Sequence, residues 1–107
     1  MVVLDGTSLT IDSLAAVAED GDEVALDPAA RDRMAAAREI VEEALRQNAP
    51  VYGLTTAVAE RKSVALDAAA RQGFSRFLIK GHLMAQGPPA PAPVVRAAMA
   101  CLANGYA

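Results

Sequence analysis

Two hydrophobic periods alternate along this chain, and each change of period marks an element. Val2-Val3-Leu4 is a short apolar run stopped by Asp5-Gly6, which predicts a strand. Thr10 offers an N-cap, and Leu14 and Val17 then share one face of a short helix through about Ala18. Glu19-Asp20-Gly21-Asp22 reads as a turn and Glu23-Val24-Ala25-Leu26 as a second short strand. The two strands can pair, because the helix between them is short enough to lie across both.

Asp27-Pro28 is a helix start, with aspartate at the N-cap and proline at the first helical position. Met34, Ala37, Val41, Ala44 and Leu45 recur at helical spacing to about Gln47, while Arg31, Arg38, Glu42 and Arg46 take the other faces. Asn48 and Pro50 end this helix. Asp67 can cap a third helix, with Phe74, Phe77, Leu78 and Gly81 along one side. The run Gly87-Pro88-Pro89-Ala90-Pro91-Ala92-Pro93 breaks it and reads as a rigid connection. In the last helix Val94, Val95, Ala98, Met99, Leu102 and Tyr106 form a stripe, and the pattern runs to Ala107 without a stop signal, as if ending within an element. The predicted class is mainly α, with two short β-strands near the N-terminus.

Composition narrows the partners. Hydrophobic residues make up 53% of the 107, which excludes a disordered tail, and a chain of this length buries roughly two-thirds of its unfolded surface. Aromatics are only 4%, so the core must come from aliphatic residues between closely approaching helices. The net charge is −3 and the ten basic residues are dispersed, which argues against nucleic acid as a partner. No run reaches the roughly 18 apolar residues of a membrane helix, and Met1-Val2-Val3-Leu4-Asp5 has no basic leader character. The single cysteine, Cys101, excludes an internal disulfide and fits a reducing, cytoplasmic setting. Its apolar helical surroundings predict a buried small hydrophobe rather than a reactive thiol. One histidine and one cysteine do not suggest a metal cluster, and no glycine loop is built to cradle phosphate.

The candidate chemistry lies in Ala49-Pro50-Val51-Tyr52-Gly53-Leu54-Thr55-Thr56-Ala57-Val58-Ala59, an uncharged loop between helices that leaves through Glu60-Arg61-Lys62. Tyr52 is either a half-buried aromatic anchoring the loop or a phenol held out as acid or base. A phenol titrates near pH ~10, so work as a base requires neighbouring donors or positive charge. His82, beside Gly81 in an apolar stretch, is either a core histidine with one hydrogen bond or a substrate contact or proton shuttle.

Val51-Tyr52-Gly53-Leu54-Thr55-Thr56 resembles the Tyr-Gly motif of histidine ammonia-lyase and related aromatic amino acid lyases. Without a gap, Arg76-Phe77-Leu78-Ile79-Lys80-Gly81-His82 resembles the family's Arg-x-Leu-x-x-Ser-His segment. Pro89 and Val95-Arg96-Ala97-Ala98-Met99 resemble the family's next stretch, and Asn104 falls on a family asparagine. The resemblance covers essentially the whole chain. It implies that residues 1–107 form a single partial domain, the N-terminal segment of a helical lyase fold, truncated or one piece of a split enzyme. It further implies an ammonia-lyase or aminomutase acting on an aromatic or histidine-like amino acid. Tyr52 would be the base that takes a β-proton, His82 a lining of the side-chain pocket, and Gly53 the point where backbone turns close to substrate. The uncharged loop is then similar to a lid over a dry site.

The departures carry equal weight. Ala57-Val58-Ala59 stands where the family has Gly-Phe-Gly, which removes two residues free to take unusual backbone angles. Gly81 replaces a serine, and Leu102 stands where a basic residue is common. The family's electrophile, a methylidene-imidazolone (MIO) group, forms from an Ala-Ser-Gly tripeptide that occurs nowhere in these 107 residues. The chain is therefore expected to be inactive alone, and to self-associate or join a chain that supplies the rest of the fold. The alternative is a degenerate lyase segment serving as a non-catalytic interaction module.

Overall fold

Asp27 shows how the local chemistry of the chain sets its elements. In the computed structural model, which describes residues 1–107, its carboxylate accepts the Ala30 N–H at 3.0 Å and opens α2, Pro28–Arg46. Its own N–H donates to Leu4 O at 3.0 Å, so the same residue ends a strand pair and starts a helix. The fold is mainly helical with two short strands, as the pattern predicts. No helix is long and apolar enough to cross a membrane.

The chain divides into two compact units, Met1–Arg38 with Pro88–Ala107, and Glu39–Gly87. In the first, β1 (Val2–Leu4) and β2 (Val24–Leu26) pair in parallel, with Val2 opposite Val24 and Leu4 opposite Leu26. Parallel neighbours need a crossover, and α1 (Ile11–Ala15) supplies it. Thr10 and Ser13 form a reciprocal capping box at its start. The turn expected at Glu19 comes later, because Ala16–Asp20 continues the helix in a wider π-helical turn that Gly21 closes at φ +75°. The extra residue per turn brings the consecutive Val17 and Ala18 both into the interior, which a 3.6-residue period does not foresee.

The last helix, α4 (Ala92–Tyr106), packs on that wide turn and β1, and begins within the proline run with Pro93 in its first turn. Its inner side buries Ala100. Cys101 is exposed, contrary to the sequence expectation, and so are Val94, Val95, Met99, Leu102 and Tyr106 of the apolar stripe. Periodicity identifies a face but not what covers it. Asn104 Oδ1 accepts the Gly6 N–H at 3.0 Å. Gly6 sits at φ +86°, and a Cβ there would meet the Ala107 carbonyl carbon at 2.9 Å, so this contact requires glycine. Beside it the Asp5 carboxylate accepts the Thr7 and Ser8 N–H groups at 2.8 and 2.7 Å, and these bonds hold its carboxyl well below the usual carboxylate range.

The second unit consists of the end of α2, the adjoining loop, and α3 (Ala68–Gly81), capped by Asp67 accepting the Ala70 N–H at 2.8 Å. On α3 the Phe74 and Phe77 rings stack with centroids 6.5 Å apart. Across both units the buried apolar residues are Leu4, Val17 and four alanines, a thin core for so hydrophobic a chain.

Candidate active site

The uncharged loop is held by its threonines. Thr55 is 2% exposed, and its hydroxyl accepts the Val51 N–H at 2.7 Å while donating to Ala49 O. Val51 O in turn accepts the N–H groups of Leu54, Thr55 and Thr56 at 3.0–3.2 Å. The chain then pairs with its own exit: Ala57 N donates to Val64 O and Leu66 N to Thr55 O, both at 2.9 Å. Uncharged residues suit this loop because its polar groups satisfy one another internally.

That bonding leaves Tyr52 at the surface. Its side chain is 63% exposed, not a half-buried anchor, and its phenol oxygen accepts the Ala59 backbone N–H at 3.1 Å. Gly53 turns at φ +72°, and a Cβ on it would lie 3.4 Å from a Val58 methyl. The tight turn after the tyrosine therefore depends on glycine.

Ala59 is a residue that the pattern does not single out. It takes φ +53°, the left-handed region that costs a residue with a Cβ about 1–2 kcal/mol. In this conformation its N–H meets the phenol. Ala57, the other position where the resemblance has glycine, is buried and has no positive φ. Only one of the two replaced glycines thus occupies a glycine-like conformation. Ala59→Gly is expected to stabilise the chain by about 1 kcal/mol while keeping the N–H. Ala59→Pro, which removes the N–H and demands negative φ, is expected to destabilise it. Thermal unfolding of both variants checks the pair, and a destabilised glycine variant would refute the assigned strain.

His82 sits at the end of α3 as its C-cap and is exposed, so it is not a core histidine. Its Nδ1 lies 2.7 Å from Leu78 O. A carbonyl only accepts, so Nδ1 carries a proton and Nε2 faces away from this bond. No hydrogen bond joins Tyr52 to His82; each is presented by its own element, the loop and the end of α3. No group of histidine, cysteine and carboxylate residues is arranged to hold a metal.

A sequence model of the family described as aromatic amino acid lyase matches residues 9–107. The histidine ammonia-lyase of Caldanaerobacter subterraneus subsp. tengcongensis is 38% identical over 106 residues, which are 99% of this chain and 21% of that enzyme. That of Symbiobacterium thermophilum is 40% identical over 92 residues, 86% of this chain and 18% of that one. Among solved structures, tyrosine aminomutase from Streptomyces globisporus is similar with a TM-score of 0.85 at 30% identity, covering 97% of this chain and 20% of its own. Ergothionase from Treponema denticola is similar with a TM-score of 0.79 at 26% identity, covering 86% of this chain and 18% of its own. The chain spans about a fifth of the length of these relatives.

Proposed function

Since this chain belongs to the aromatic amino acid lyase family, we propose that it serves as the N-terminal part of an ammonia-lyase or aminomutase and supplies the base, Tyr52. The substrate class is an α-amino acid with an aromatic or imidazole-like side chain, the chemistry shared by the names of the relatives. One observation carries the reading: the phenol projects from an internally bonded loop, with its oxygen held by the Ala59 N–H. In the elimination, the Cβ–H bond breaks and its proton passes to the Tyr52 oxygen, which takes it as the phenolate and becomes the neutral phenol. The electron pair becomes the Cα=Cβ bond as the C–N bond breaks and ammonia leaves. Gly53 lets the backbone turn beside the phenol, and His82 offers Nε2 to a polar substrate side chain.

The family's electrophile makes the amino group a better leaving group. These 107 residues contain no Ala-Ser-Gly from which to form it. The proposal assigns that chemistry to the remainder of a lyase fold, joined to this segment or assembled with it. Two surfaces support such a complement. Within the first unit, Leu4, Val17, Val24, Met99, Ala100 and Ala103 line an open apolar hollow of about 250 Å³. Within the second, the large apolar side chains of Phe77, Ile79, Leu83 and Met84 are each exposed. Apolar surface of this kind marks contact with another chain or segment.

The chain alone is expected to self-associate and to bind an apolar-surface dye, and to release no unsaturated acid from histidine, tyrosine or phenylalanine. Light scattering and ultraviolet assay check both. A dye-silent monomer at high concentration would count against the missing complement, and steady turnover by homogeneous chain would refute it. Turnover is tested by placing residues 1–107 in the matching segment of the Caldanaerobacter enzyme. Ammonia release by that chimera supports the reading, and a folded chimera that releases none contradicts it.

A further inference from the structure

Arg71 lies in the first turns of α3 and reaches back along the chain. Its Nε donates to Leu66 O at 2.7 Å, and its Nη1 donates to the Asn48 side-chain oxygen at 2.8 Å. Asn48 is the residue at which the chain leaves α2, turning there at φ +50°, a conformation asparagine tolerates. Leu66 is the residue at which the chain returns, and its N–H is already bonded to Thr55 O. One guanidinium therefore fastens both roots of the loop that carries Tyr52. It makes no ion pair with a carboxylate, so its charge is used on two neutral oxygens. Such charge-assisted bonds are stronger than neutral ones, and the planar fork that makes two at once is particular to arginine.

We propose that Arg71 is a positioning residue for the Tyr52 phenol. It closes residues 48–66 into a ring, and both Tyr52 and the Ala59 N–H that holds its oxygen lie inside that ring. Closing a loop removes conformations in which the phenol wanders from its donor. The proposal rests on the reading of Tyr52 as the base, and its test is independent of turnover.

The chain has no tryptophan and only two tyrosines, so Tyr106→Phe leaves Tyr52 as the sole tyrosine. Tyr106 is exposed. In that background the fluorescence anisotropy of Tyr52 reports its freedom directly, and amide exchange reports the loop. With Arg71→Ala, the anisotropy is expected to drop toward the unfolded value. Exchange at Ala57, Ala59 and Leu66 should accelerate by roughly tenfold or more, as for the loss of two hydrogen bonds, while the β1 and β2 amides keep their rates. Arg71→Lys keeps the charge without the fork and is expected not to restore either value. Asn48→Gly preserves the positive φ and removes one of the two bonds; it is expected to fall between, and it serves if Arg71→Ala unfolds the chain. Unchanged anisotropy in both Arg71→Ala and Asn48→Gly overturns the proposal, as does acceleration spread equally over β1 and β2. Failure of the base reading appears elsewhere, as undiminished turnover in Tyr52→Phe.

Discussion

Tyr52→Phe in the chimera is expected to lower kcat by roughly a hundredfold or more, the usual consequence of losing a general base. The phenylalanine keeps the ring and its place on the loop and removes only the oxygen that would take the β-proton. Its structural cost should be small. The Ala59 N–H loses the phenol oxygen, but Ala59 is exposed, so water takes the vacated place and the loss stays within about 1 kcal/mol. If Tyr52 is the base as proposed, KM should hold better than kcat, because its oxygen would then act only in the transition state. His82→Ala should do the reverse, raising KM or changing the preference among histidine, tyrosine and phenylalanine. Its ring lies at the end of α3, bonded only to Leu78 O, and nothing in the Tyr52 loop depends on it. Steady-state kinetics on the two variants checks the division of roles. A phenylalanine variant with near-normal kcat would remove Tyr52 from the chemistry.

Thr55→Val should be the most damaging of the conservative loop substitutions for stability. Valine matches threonine in shape, but its methyl replaces the hydroxyl that accepts the Val51 N–H and donates to Ala49 O. Thr55 is almost wholly buried while its partners lie on the less buried Ala49 and Val51, so losing the two bonds costs about 1 kcal/mol each. Denaturant unfolding should show a midpoint well below that of the parent chain. Thr55→Ser, which keeps the hydroxyl, should recover most of the difference. Equal stability of the valine and threonine chains would refute the assignment of Thr55 as the loop's internal tie.

The sequence shows what is decided locally. Thr10, Asp27 and Asp67 are legible as caps because a cap is a contact between a side chain and a backbone N–H three residues away. That the two strands can pair is readable from two short apolar runs with a helix between them, while their parallel direction comes from the structure. The wide turn at Ala16–Asp20, which packs against α4, escapes a search for 3.6-residue periodicity, because each of its turns holds more residues than that period. Exposure of Cys101 and of the α4 stripe escapes as well, since an apolar stripe has the same spacing whether or not anything covers it.

At the candidate site, Tyr52 stands out as an aromatic in an uncharged loop, and the resemblance gives it a role. The residues that hold it do not stand out. Ala59 has an ordinary side chain, and its left-handed backbone is hinted at only by the glycine that the resemblance places there. Arg71 is one of ten basic residues, and its two bonds join positions that become neighbours only after the loop has closed. Thr55 is readable as polar but not as buried, because its burial comes from the pairing of residues 55–57 with 64–66.

Reconstitution tests the central claim most directly. The Caldanaerobacter histidine ammonia-lyase, prepared without the segment that matches this chain, is mixed with increasing amounts of residues 1–107, and ammonia release from histidine is measured. The account expects no release without the chain, a rate that rises and saturates as chain is added, and at most about a hundredth of that rate when the added chain carries Tyr52→Phe. A complex that forms and stays silent with the unaltered chain would contradict it, as would equal rates with the unaltered and the Tyr52→Phe chains.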